Sequence, residues 1–472
     1  MSVAAEPLLT FPQLAQMAGG DLVVRDVPGD PTAREAWLRN GVDGVAIDSR
    51  TIGRGQLFVP LRGLRDDGHR FLADAFQRGA AAALCARSAY AEWSGREPGP
   101  LVLVDDVTAA LQRLARRFRE SWHGLLIGIT GSAGKSTTRD FVAAVLATRA
   151  PALKSEGNLN NHWGVPLTLL RLRPEHQAAV VEMAMSAAGE IAALATVARP
   201  EAAVITNVGS AHLGGAGLGS VEAVAREKAS IAFALPPGSP LFAGSHSPRL
   251  TAALEGAPCR VIRFGLSRRA DVHPRSIEDL GAGGIRFEVR GFPPVHLRLV
   301  GRHQVQNALA ALAVAREYGL DPEATTTALS RMPALHGRME VRHARGGTLL
   351  VDCYNANPDS TRAALAALAA WRPARRRIAV LGDMLELGPR SAQLHRQVGA
   401  AVRSAELWAV GTHAADYVAG ARRARVRSRT FPDKRALAAE LQATLGPGTV
   451  ALLKASRGVA LEDVLEDLEA ED

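Results

Sequence analysis

The amino-acid sequence predicts an α/β protein of three domains, whose central domain is built on a doubly wound, mostly parallel sheet. Three observations support this fold class. The chain has 472 residues, which is more than one hydrophobic core usually holds. Short apolar runs alternate with helical patterns along its length, as in parallel sheets. A glycine-rich turn joins one apolar run to a helix, which is the arrangement of a P-loop.

The N-terminal α/β domain is expected over residues 1–122. Its predicted strands are the apolar runs at 44–47, 57–61, 81–85 and 101–104. A helical pattern covers 71–78, and a helix over 109–122 closes the domain.

The central P-loop domain is expected over residues 123–333. A strand over 125–130 leads through the glycine-rich turn into a helix over 135–147, and further strands are expected at 178–182, 202–207 and 260–264. Ligands of doubly wound sheets bind at the carboxyl ends of the strands. Glu182 and Asn207, which end two of these runs, are therefore expected at the ligand-binding edge.

The C-terminal Rossmann-like α/β domain is expected over residues 334–472. Its predicted strands are the runs at 348–351, 378–381, 407–410 and 450–453, each followed by a helical pattern.

Composition narrows the class of protein. With 47% hydrophobic and 22% charged residues the chain can bury a core. No apolar run reaches the ~18 residues of a membrane span, and the first twenty residues lack a basic region. The three cysteines are far apart and predict neither a disulfide framework nor a zinc site. A cytoplasmic, monomeric enzyme without a membrane span is expected.

The net charge of +9 does not by itself predict a nucleic-acid partner. Most of the excess is arginine scattered through alanine-rich helical stretches, and the densest clusters, at 372–377 and 422–429, lack interleaved aromatic residues. We interpret these arginines as solvated surface groups, and no nucleic-acid partner is expected.

Residues 130–137 read Thr-Gly-Ser-Ala-Gly-Lys-Ser-Thr. The two glycines let backbone N–H groups face phosphate oxygens, Lys135 supplies a mobile positive charge, and the Ser136 hydroxyl can bind Mg²⁺. Because Ile129 stands where the longer pattern has glycine, this is a shortened G-x-x-G-K-S form; the alternative is a glycine-rich turn with an incidental lysine. The residues expected to bind ATP are Gly131, Ser132, Ala133, Gly134, Lys135, Ser136 and Thr137.

Further motifs resemble those of the Mur ligase family over nearly the whole chain. They occupy residues 48–50, 57–59, 67–69, 157–161, 164–170, 182–190, 205–212, 301–310, 337–338, 352–358, 382–388 and 454–457. The resemblance implies three domains that bind, in order, the uridine nucleotide, ATP and the incoming amino substrate.

Within the family, the double asparagine before Gly-Val-Pro, the Tyr-Asn-Ala-Asn-Pro run and Gly-Asp-Met-x-Glu-Leu-Gly resemble the D-alanyl-D-alanine-adding members. The resemblance implies an ATP-dependent amide ligase with UDP-N-acetylmuramoyl-tripeptide and D-alanyl-D-alanine as substrates. An acyl phosphate would be the intermediate, and ADP and phosphate the products, in peptidoglycan precursor synthesis.

The resemblance also implies a catalytic and metal-binding set. Glu182 and His212 would bind Mg²⁺ together with Ser136, and Lys228 would be carbamylated, which turns a cation into a carboxylate-like ligand. Taken without the resemblance, Glu182 suits a helix cap or salt bridge, His212 a loop hydrogen bond, and Lys228 a solvated helix position.

Four further residues are implied to bind ATP: Asn161, Asn307, Arg338 and Asp352. Asn307 would read adenine, although it could instead cap a helix. Arg338 would reach the γ-phosphate as a fork donor. Substrate binding is implied for Ser49, Arg50, Asn158, Asn160, Ser186, Tyr354, Asn355, Asn357, Lys454, Ser456 and Arg457. For Ser49 and Arg50, capping and surface pairing are the alternatives.

Two other functions stay open at this stage. One is another amide ligase of the superfamily, either diamino-acid-adding or polyglutamate-forming. The first-domain motifs argue against the folate enzymes, and Lys-Ala-Ser-Arg differs from the Asp-Asn-Pro-Arg of the diamino-acid ligases. The other is an inactive nucleotide-binding homologue, which departures from the family pattern at Ser186, Gln304 and Ala455 leave possible.

Overall fold

The computed structural model describes residues 7–25, 30–63, 66–209, 218–245 and 247–469. These residues divide between two compact units. Unit 1 lies within Met1–Leu126, Leu153–Met183 and Ala192–Pro200, and unit 2 within Ile127–Ala152, Ala184–Ile191 and Glu201–Asp472.

The first stretch of the chain, all in unit 1, alternates short strands and helices. They are β1 (Leu9–Thr10), α1 (Phe11–Ala18), β2 (Asp21–Val23), α2 (Pro31–Leu38), β3 (Gly41–Val42), β4 (Gly44–Ala46), β5 (Gln56–Phe58), α3 (Leu72–Gln77), β6 (Ala82–Ala86), α4 (Arg87–Tyr90), β7 (Leu101–Val104) and α5 (Val107–Glu120). A five-stranded sheet has the order β2-β7-β6-β5-β4, parallel except for β2. The four predicted strands of this stretch are confirmed, with slightly different ends.

The middle stretch contains the glycine-rich turn. Its elements are β8 (Leu125–Thr130), α6 (Lys135–Leu146), β9 (Ala152–Lys154), α7 (Gly164–Leu169), β10 (Ala178–Glu182), α8 (Glu190–Ala198), β11 (Ala202–Ile205), α9 (Val221–Phe233), β12 (Pro240–Gly244), α10 (Pro248–Ala253), β13 (Arg260–Phe264), β14 (Pro274–Asp279), β15 (Ile285–Val289), β16 (Val295–Leu297), α11 (Arg302–Glu317) and α12 (Pro322–Ser330). In unit 2, β8, β11, β12 and β13 are consecutive parallel neighbours.

Several details of the middle stretch differ from the prediction. The strands β9 and β12 were not predicted, although β12 is buried; both are short, and the apolar run of β12 lies between a proline and a glycine. The strand expected over 202–207 ends at Ile205, so Asn207 follows the strand, free to turn toward the loop. The antiparallel sheet β14-β15-β16 was not predicted, because its short strands carry the alternating pattern of a sheet with one solvated face.

The last stretch, all in unit 2, forms a six-stranded sheet. Its elements are β17 (Glu340–Ala344), β18 (Gly347–Asp352), α13 (Pro358–Ala370), β19 (Arg376–Leu381), α14 (Ser391–Gly399), β20 (Glu406–Val410), α15 (Ala414–Arg423), β21 (Ser428–Phe431), α16 (Lys434–Thr444), β22 (Thr449–Lys454) and α17 (Asp463–Glu469). The order is β17-β18-β22-β19-β20-β21, and only β17 is antiparallel. The parallel α/β class and all four predicted strands are confirmed.

The three cysteines are unpaired thiols. Burial raises the pKa of the Cys85 thiol to about 11 and that of Cys353 to about 12, and it raises the pKa of Cys259 as well. Among the described helices, none combines the length and the apolar character that crossing a membrane requires.

Candidate active site

At two positions of the glycine-rich turn in unit 2, the backbone conformation suits only glycine. Gly131 (φ 153°) and Gly134 (φ 75°) have positive φ. A Cβ atom on Gly131 would lie 1.8 Å from Thr206 Oγ1, and one on Gly134 would lie 2.4 Å from Asn307 Oδ1. The backbone therefore enters α6 with its first N–H groups available, as phosphate binding requires.

The turn is held by the chain that follows β11. Asn207 Oδ1 accepts from the N–H of Ala133 at 3.0 Å, and Asn207 Nδ2 donates to the carbonyl of Ala133 at 3.0 Å. Thr206 Oγ1 donates to that same carbonyl at 2.6 Å. Lys135 Nζ donates to the Gly131 carbonyl at 3.0 Å. Thr206 and Asn207 thus hold the loop at Ala133, while the amine of Lys135 is hydrogen-bonded within the loop.

The amide of Asn307 lies buried beside the P-loop helix. Its Nδ2 donates to Gln304 Oε1 at 3.0 Å, and its Oδ1 accepts from Thr138 Oγ1 at 3.4 Å. Asn307 is the sixth residue of α11, so it does not cap that helix. Gln304 therefore orients the Asn307 amide.

Arg338 lies against the phosphate loop. Its Nη2 donates to Ser136 Oγ at 3.0 Å, and its guanidinium carbon lies 4.0 Å from the ring centroid of Tyr354. Arg457 lies 5.6 Å from the same ring centroid. One aromatic ring therefore lies beside two of the three arginines that the sequence singled out, Arg338 and Arg457.

Asn357 gives a second contact with the loop. Its Oδ1 caps α13, accepting from the N–H groups of Asp359 at 3.1 Å and Ser360 at 2.9 Å. Its Nδ2 donates to the Ser132 carbonyl at 3.3 Å. Within unit 2, the start of α13 and Arg338 therefore both meet the phosphate loop.

Lys454 and Asp352 end adjacent strands and form a buried ion pair. Lys454 is 1% exposed, and its Nζ lies 2.7 Å from Asp352 Oδ2. The amine also donates to the Asn355 carbonyl at 2.8 Å, while Asn355 Oδ1 accepts from the N–H of Ala356 at 2.8 Å. Lys454 thus organises the turn after β18 instead of pointing into solvent.

Lys228 is buried in α9, with 1% of its surface exposed. Burial and then the charge of Lys135 lower the pKa of its amine well below the ordinary value, against the opposing effect of Glu227. Its description as a solvated helix lysine is therefore wrong. Glu227 accepts from the N–H groups of Gly189 and Ile191, both at 2.8 Å, at the start of α8.

Ser186 precedes that start and is exposed. Its N–H donates to the carboxylate of Glu190, so the loop between β10 and α8 is ordered by the first residue of the helix.

In unit 1, the carboxylate of Glu182 is paired with an asparagine of the double-asparagine motif. Glu182 is 2% exposed, and its Oε1 accepts from Asn160 Nδ2 at 2.9 Å. Asn158 contributes a carbonyl that accepts from the N–H of Asn160 at 2.8 Å. Asn161 Oδ1 accepts from the N–H groups of Trp163 at 3.1 Å and Gly164 at 2.9 Å. The motif therefore orients Glu182 and begins α7.

Ser49 and Arg50 lie in the first stretch of unit 1. Arg50 forms a fork with Asp48, with Nε–Oδ1 at 2.9 Å and Nη2–Oδ2 at 2.7 Å. Hydrogen bonds from Arg50 lower the pKa of Asp48 to about 2. Ser49 is buried, and after Arg78 it helps to lower the pKa of Asp74. The surface pairing considered for Arg50 is present, and its guanidinium stays exposed.

His212 lies outside the described residues. Among the residues that are described, no three His, Cys, Asp or Glu side chains form a group able to hold a metal ion.

Comparison with known proteins agrees with this organisation. Three family models match: "Mur ligase family, catalytic domain" over residues 41–119, "Mur ligase middle domain" over 129–315 and "Mur ligase, glutamate ligase domain" over 337–457. The UDP-N-acetylmuramoyl-tripeptide–D-alanyl-D-alanine ligase of Bacillus subtilis is 34% identical over 471 residues, covering 97% of this chain and 98% of the relative. The chain belongs to the Mur ligase family.

Solved Mur ligase structures are similar over the same length. A crystal structure of MurF from Acinetobacter baumannii has a TM-score of 0.85 at 29% identity, covering 98% of this chain and 99% of that one. MurF from Thermotoga maritima in complex with ADP has a TM-score of 0.80 at 28% identity, covering 91% and 97%. The predicted three-domain α/β fold is thereby confirmed.

For this Mur ligase, sequence reasoning missed the groups that hold the site. The sequence placed Asn207 at a strand end but did not predict that it holds the phosphate loop. It gave no role to Glu227, which precedes Lys228. The pairing of Asn207 with Ala133 had a signal, namely a Thr-Asn pair directly after a buried strand. Glu227 had none, because a glutamate on a helix is usually solvated.

Proposed function

We propose that this chain is an ATP-dependent ligase that joins D-alanyl-D-alanine to UDP-N-acetylmuramoyl-tripeptide in peptidoglycan precursor synthesis. The proposal rests on two hydrogen bonds to the phosphate loop: Arg338 donates to Ser136, and Asn357 donates to the carbonyl of Ser132. The guanidinium of Arg338, in the stretch that resembles the amino-substrate domain, thus lies at the loop where a γ-phosphate would bind. Full-length similarity to relatives that bear this enzyme name supports the choice of substrates.

The chemistry follows from the need to activate a carboxylate. Joining a carboxylate to an amine in water is uphill, so the terminal carboxylate of the tripeptide attacks the γ-phosphorus of ATP, and ADP leaves. The resulting acyl phosphate is attacked at carbon by the dipeptide amine, and phosphate leaves from the tetrahedral intermediate as the amide forms. Phosphoryl transfer of this kind depends mainly on positioning and charge stabilisation.

The loop residues have distinct roles in this proposal. The N–H groups from Gly131 to Thr137 hold the phosphates, and the Lys135 amine exchanges the Gly131 carbonyl for a phosphate oxygen. Arg338 donates to the γ-phosphate as its charge grows. Asn307 reads adenine through its amide, and Asp352 takes part through its pair with Lys454.

The metal in this proposal is Mg²⁺, which when bound supplies positive charge that neutralises phosphate oxygens. Ser136, Glu182, His212 and Lys228 are its proposed ligands by resemblance to the family. The donor chemistry fits, because Glu182 is a buried carboxylate whose oxygen is oriented by Asn160 and magnesium prefers hard oxygen ligands.

Lys228 is proposed to be carbamylated. Its burial and lowered pKa favour the neutral amine, and only a neutral amine can attack CO₂. The nitrogen bonds to the carbon, a proton is released, and a carbamate with one negative charge results. A buried ammonium near Lys135 would be repelled, whereas a carbamate would be attracted. The sign of the charge therefore favours the modified form.

The substrates are assigned to two groups of residues. Ser49 and Arg50 are proposed for the uridine diphosphate of the first substrate. Lys454, Ser456 and Arg457 are proposed for the dipeptide, where a guanidinium fork suits its carboxylate. The remaining proposed substrate-binding residues are Asn158, Asn160, Ser186, Tyr354, Asn355 and Asn357.

We also propose the domain division 1–122, 123–333 and 334–472, which the three family matches support because none crosses a boundary. A cytoplasmic, monomeric enzyme remains our proposal, and the unpaired thiols in a chain with three cysteines support its cytoplasmic location.

The deciding experiment measures ADP release by the purified chain with ATP, Mg²⁺ and UDP-N-acetylmuramoyl-tripeptide, with and without D-alanyl-D-alanine. We expect release only when both substrates are present, and no release with D-alanine alone. Release with a diamino acid and the UDP-dipeptide would instead support a diamino-acid ligase. The absence of release with every substrate pair would support an inactive homologue.

A further inference from the structure

Residues 382–385 form a short segment after β19 that is held on one side by the proposed dipeptide residues. The N–H of Gly382 donates to the Lys454 carbonyl at 2.9 Å, and the N–H of Ser456 donates to the Asp383 carbonyl at 3.0 Å. The N–H of Leu385 donates to Ser456 Oγ at 2.9 Å. The position of Ser456 is therefore coupled to the position of the 382–385 segment.

The other side of the segment is held by residues at the start of α15. The Tyr417 hydroxyl donates to the Gly382 carbonyl at 3.0 Å. The carboxylate of Asp383 accepts from the N–H groups of Thr412 and His413, both at 2.9 Å. The segment is thus fixed by hydrogen bonds to the end of β22 on one side and to the start of α15 on the other.

His395 makes the central bond of this arrangement. It is fully buried, and its Nε2 accepts from the N–H of Met384 at 3.0 Å. Its Nδ1 lies 2.7 Å from the Ser391 carbonyl, which can only accept. The proton must therefore be on Nδ1, and the lone pair on Nε2 faces Met384.

The surroundings of the ring keep it in this form. His413 stacks on it with ring centroids 4.3 Å apart, and Tyr417 meets it edge-on at 4.8 Å. Burial is the main cause that lowers the pKa of His395, and the charge of His413 lowers it further. The hydrogen bond to the Ser391 carbonyl and the charges of Asp383 and Asp416 act in the opposite direction. A protonated ring would put an N–H against the N–H of Met384, so the neutral ring is needed to hold the segment.

We propose that His395 is a positioning residue for the incoming dipeptide: through Met384 it holds the 382–385 segment against Ser456. The inference rests on the proposed function, which assigns Ser456 and Arg457 to the dipeptide. The segment also presents Leu385, whose side chain is 46% exposed, next to Gly458 and so beside Arg457. An apolar side chain at this place suits the methyl groups of an alanyl dipeptide.

The test compares His395→Gln with His395→Leu in the full chain. Glutamine can place an acceptor oxygen near Met384, whereas leucine fills similar volume without an acceptor. We expect His395→Leu to raise the KM for D-alanyl-D-alanine at least tenfold, with the KM values for ATP and the UDP-tripeptide changed less than twofold. His395→Gln should recover most of the loss. Ser391→Ala is the matched control: it removes the hydroxyl that lies 2.9 Å from His413 Nε2 and 3.3 Å from His395 Nδ1 but keeps the carbonyl that His395 uses, so the dipeptide KM should stay within about twofold of wild type.

Each outcome bears on the proposal. A dipeptide KM that stays normal in both variants, or that rises equally for all three substrates, would overturn the positioning role. Should His395→Leu fail to fold, His395→Phe takes its place, because a phenyl ring can keep the stack on His413 but has no acceptor for Met384: a dipeptide KM raised about tenfold supports the role, and a normal dipeptide KM refutes it. Absence of dipeptide-dependent turnover in the wild type would overturn the proposed function and this inference together.

Discussion

Replacing Arg338 by alanine tests the contact between the phosphate loop and the stretch that follows α12. The guanidinium donates to Ser136 Oγ at 3.0 Å and stacks 4.0 Å from the Tyr354 ring centroid. Alanine removes the hydrogen-bond donor, the positive charge and the stacked plane. We expect the fold to persist, and the thermal melt described below checks this.

The size of the effect follows from when each interaction is made. Loss of one charged donor to a growing transition-state charge costs roughly 2.7–4 kcal/mol, or about 10²–10³ in turnover. Loss of the stacking costs only about 0.5–1 kcal/mol and applies equally before and during the reaction. We therefore expect kcat to fall by about 10²–10³ while the KM for ATP changes less than about fivefold.

The assay is steady-state ADP release with ATP varied and both other substrates saturating, together with a thermal melt of each variant. Arg338→Lys is the matched control, because it keeps a positive charge but loses the planar fork. It should fall between wild type and alanine. An unchanged kcat with a raised KM would refute the reasoning, as would a lysine variant equal to wild type.

Substitutions at three other positions test the site. Lys135→Ala should reduce ligation by at least about 10² with an unchanged melting temperature, since it removes charge from the phosphoryl group; activity within tenfold of wild type would contradict the loop assignment. Lys228→Ala should be nearly inactive yet partly rescued by high concentrations of a short-chain carboxylate, and bicarbonate depletion should slowly and reversibly lower wild-type activity. Full activity in that variant would refute the carbamate. Asn357→Ala removes a helix cap and should lose about 1 kcal/mol of unfolding free energy, measured by denaturant titration. Asn357→Asp keeps the cap but loses the donor to Ser132, so this variant should lose activity and keep its stability.

The strands and the phosphate loop could be predicted because local pattern determines them. Most buried parallel strands are continuous apolar runs, and the turn between β8 and α6 needs glycine at 131 and 134 because of its positive φ angles. The edge strand β17 and the antiparallel β14-β15-β16 sheet were missed, because half-solvated strands have no continuous apolar run. The buried strand β12 was missed for another reason, since its short apolar run lies between a proline and a glycine.

The site was predictable only in part, for a different reason. Resemblance identified Arg338 and Asn357, but their partners on the loop lie about two hundred residues away in sequence, and no local pattern encodes such a pair. The burial of Lys228 was also hidden, since the Arg-Glu-Lys run of α9 reads as a solvated face. The ligand set of the metal stays a prediction, because His212 lies outside the described residues.

The raised thiol pKa values have a practical consequence for observing this enzyme at work. At neutral pH, a thiol of pKa about 11 is ionised in only about one molecule in ten thousand, whereas an exposed cysteine of ordinary pKa near 8.5 is ionised in a few per cent. Alkylating dyes react with the ionised form, so a cysteine introduced at the exposed Leu385 should take up a fluorophore well ahead of Cys85 and Cys353. Once the partly exposed Cys259 is replaced by serine, a single-site optical reporter could thus be attached beside the proposed dipeptide residues without removing Cys85 or Cys353.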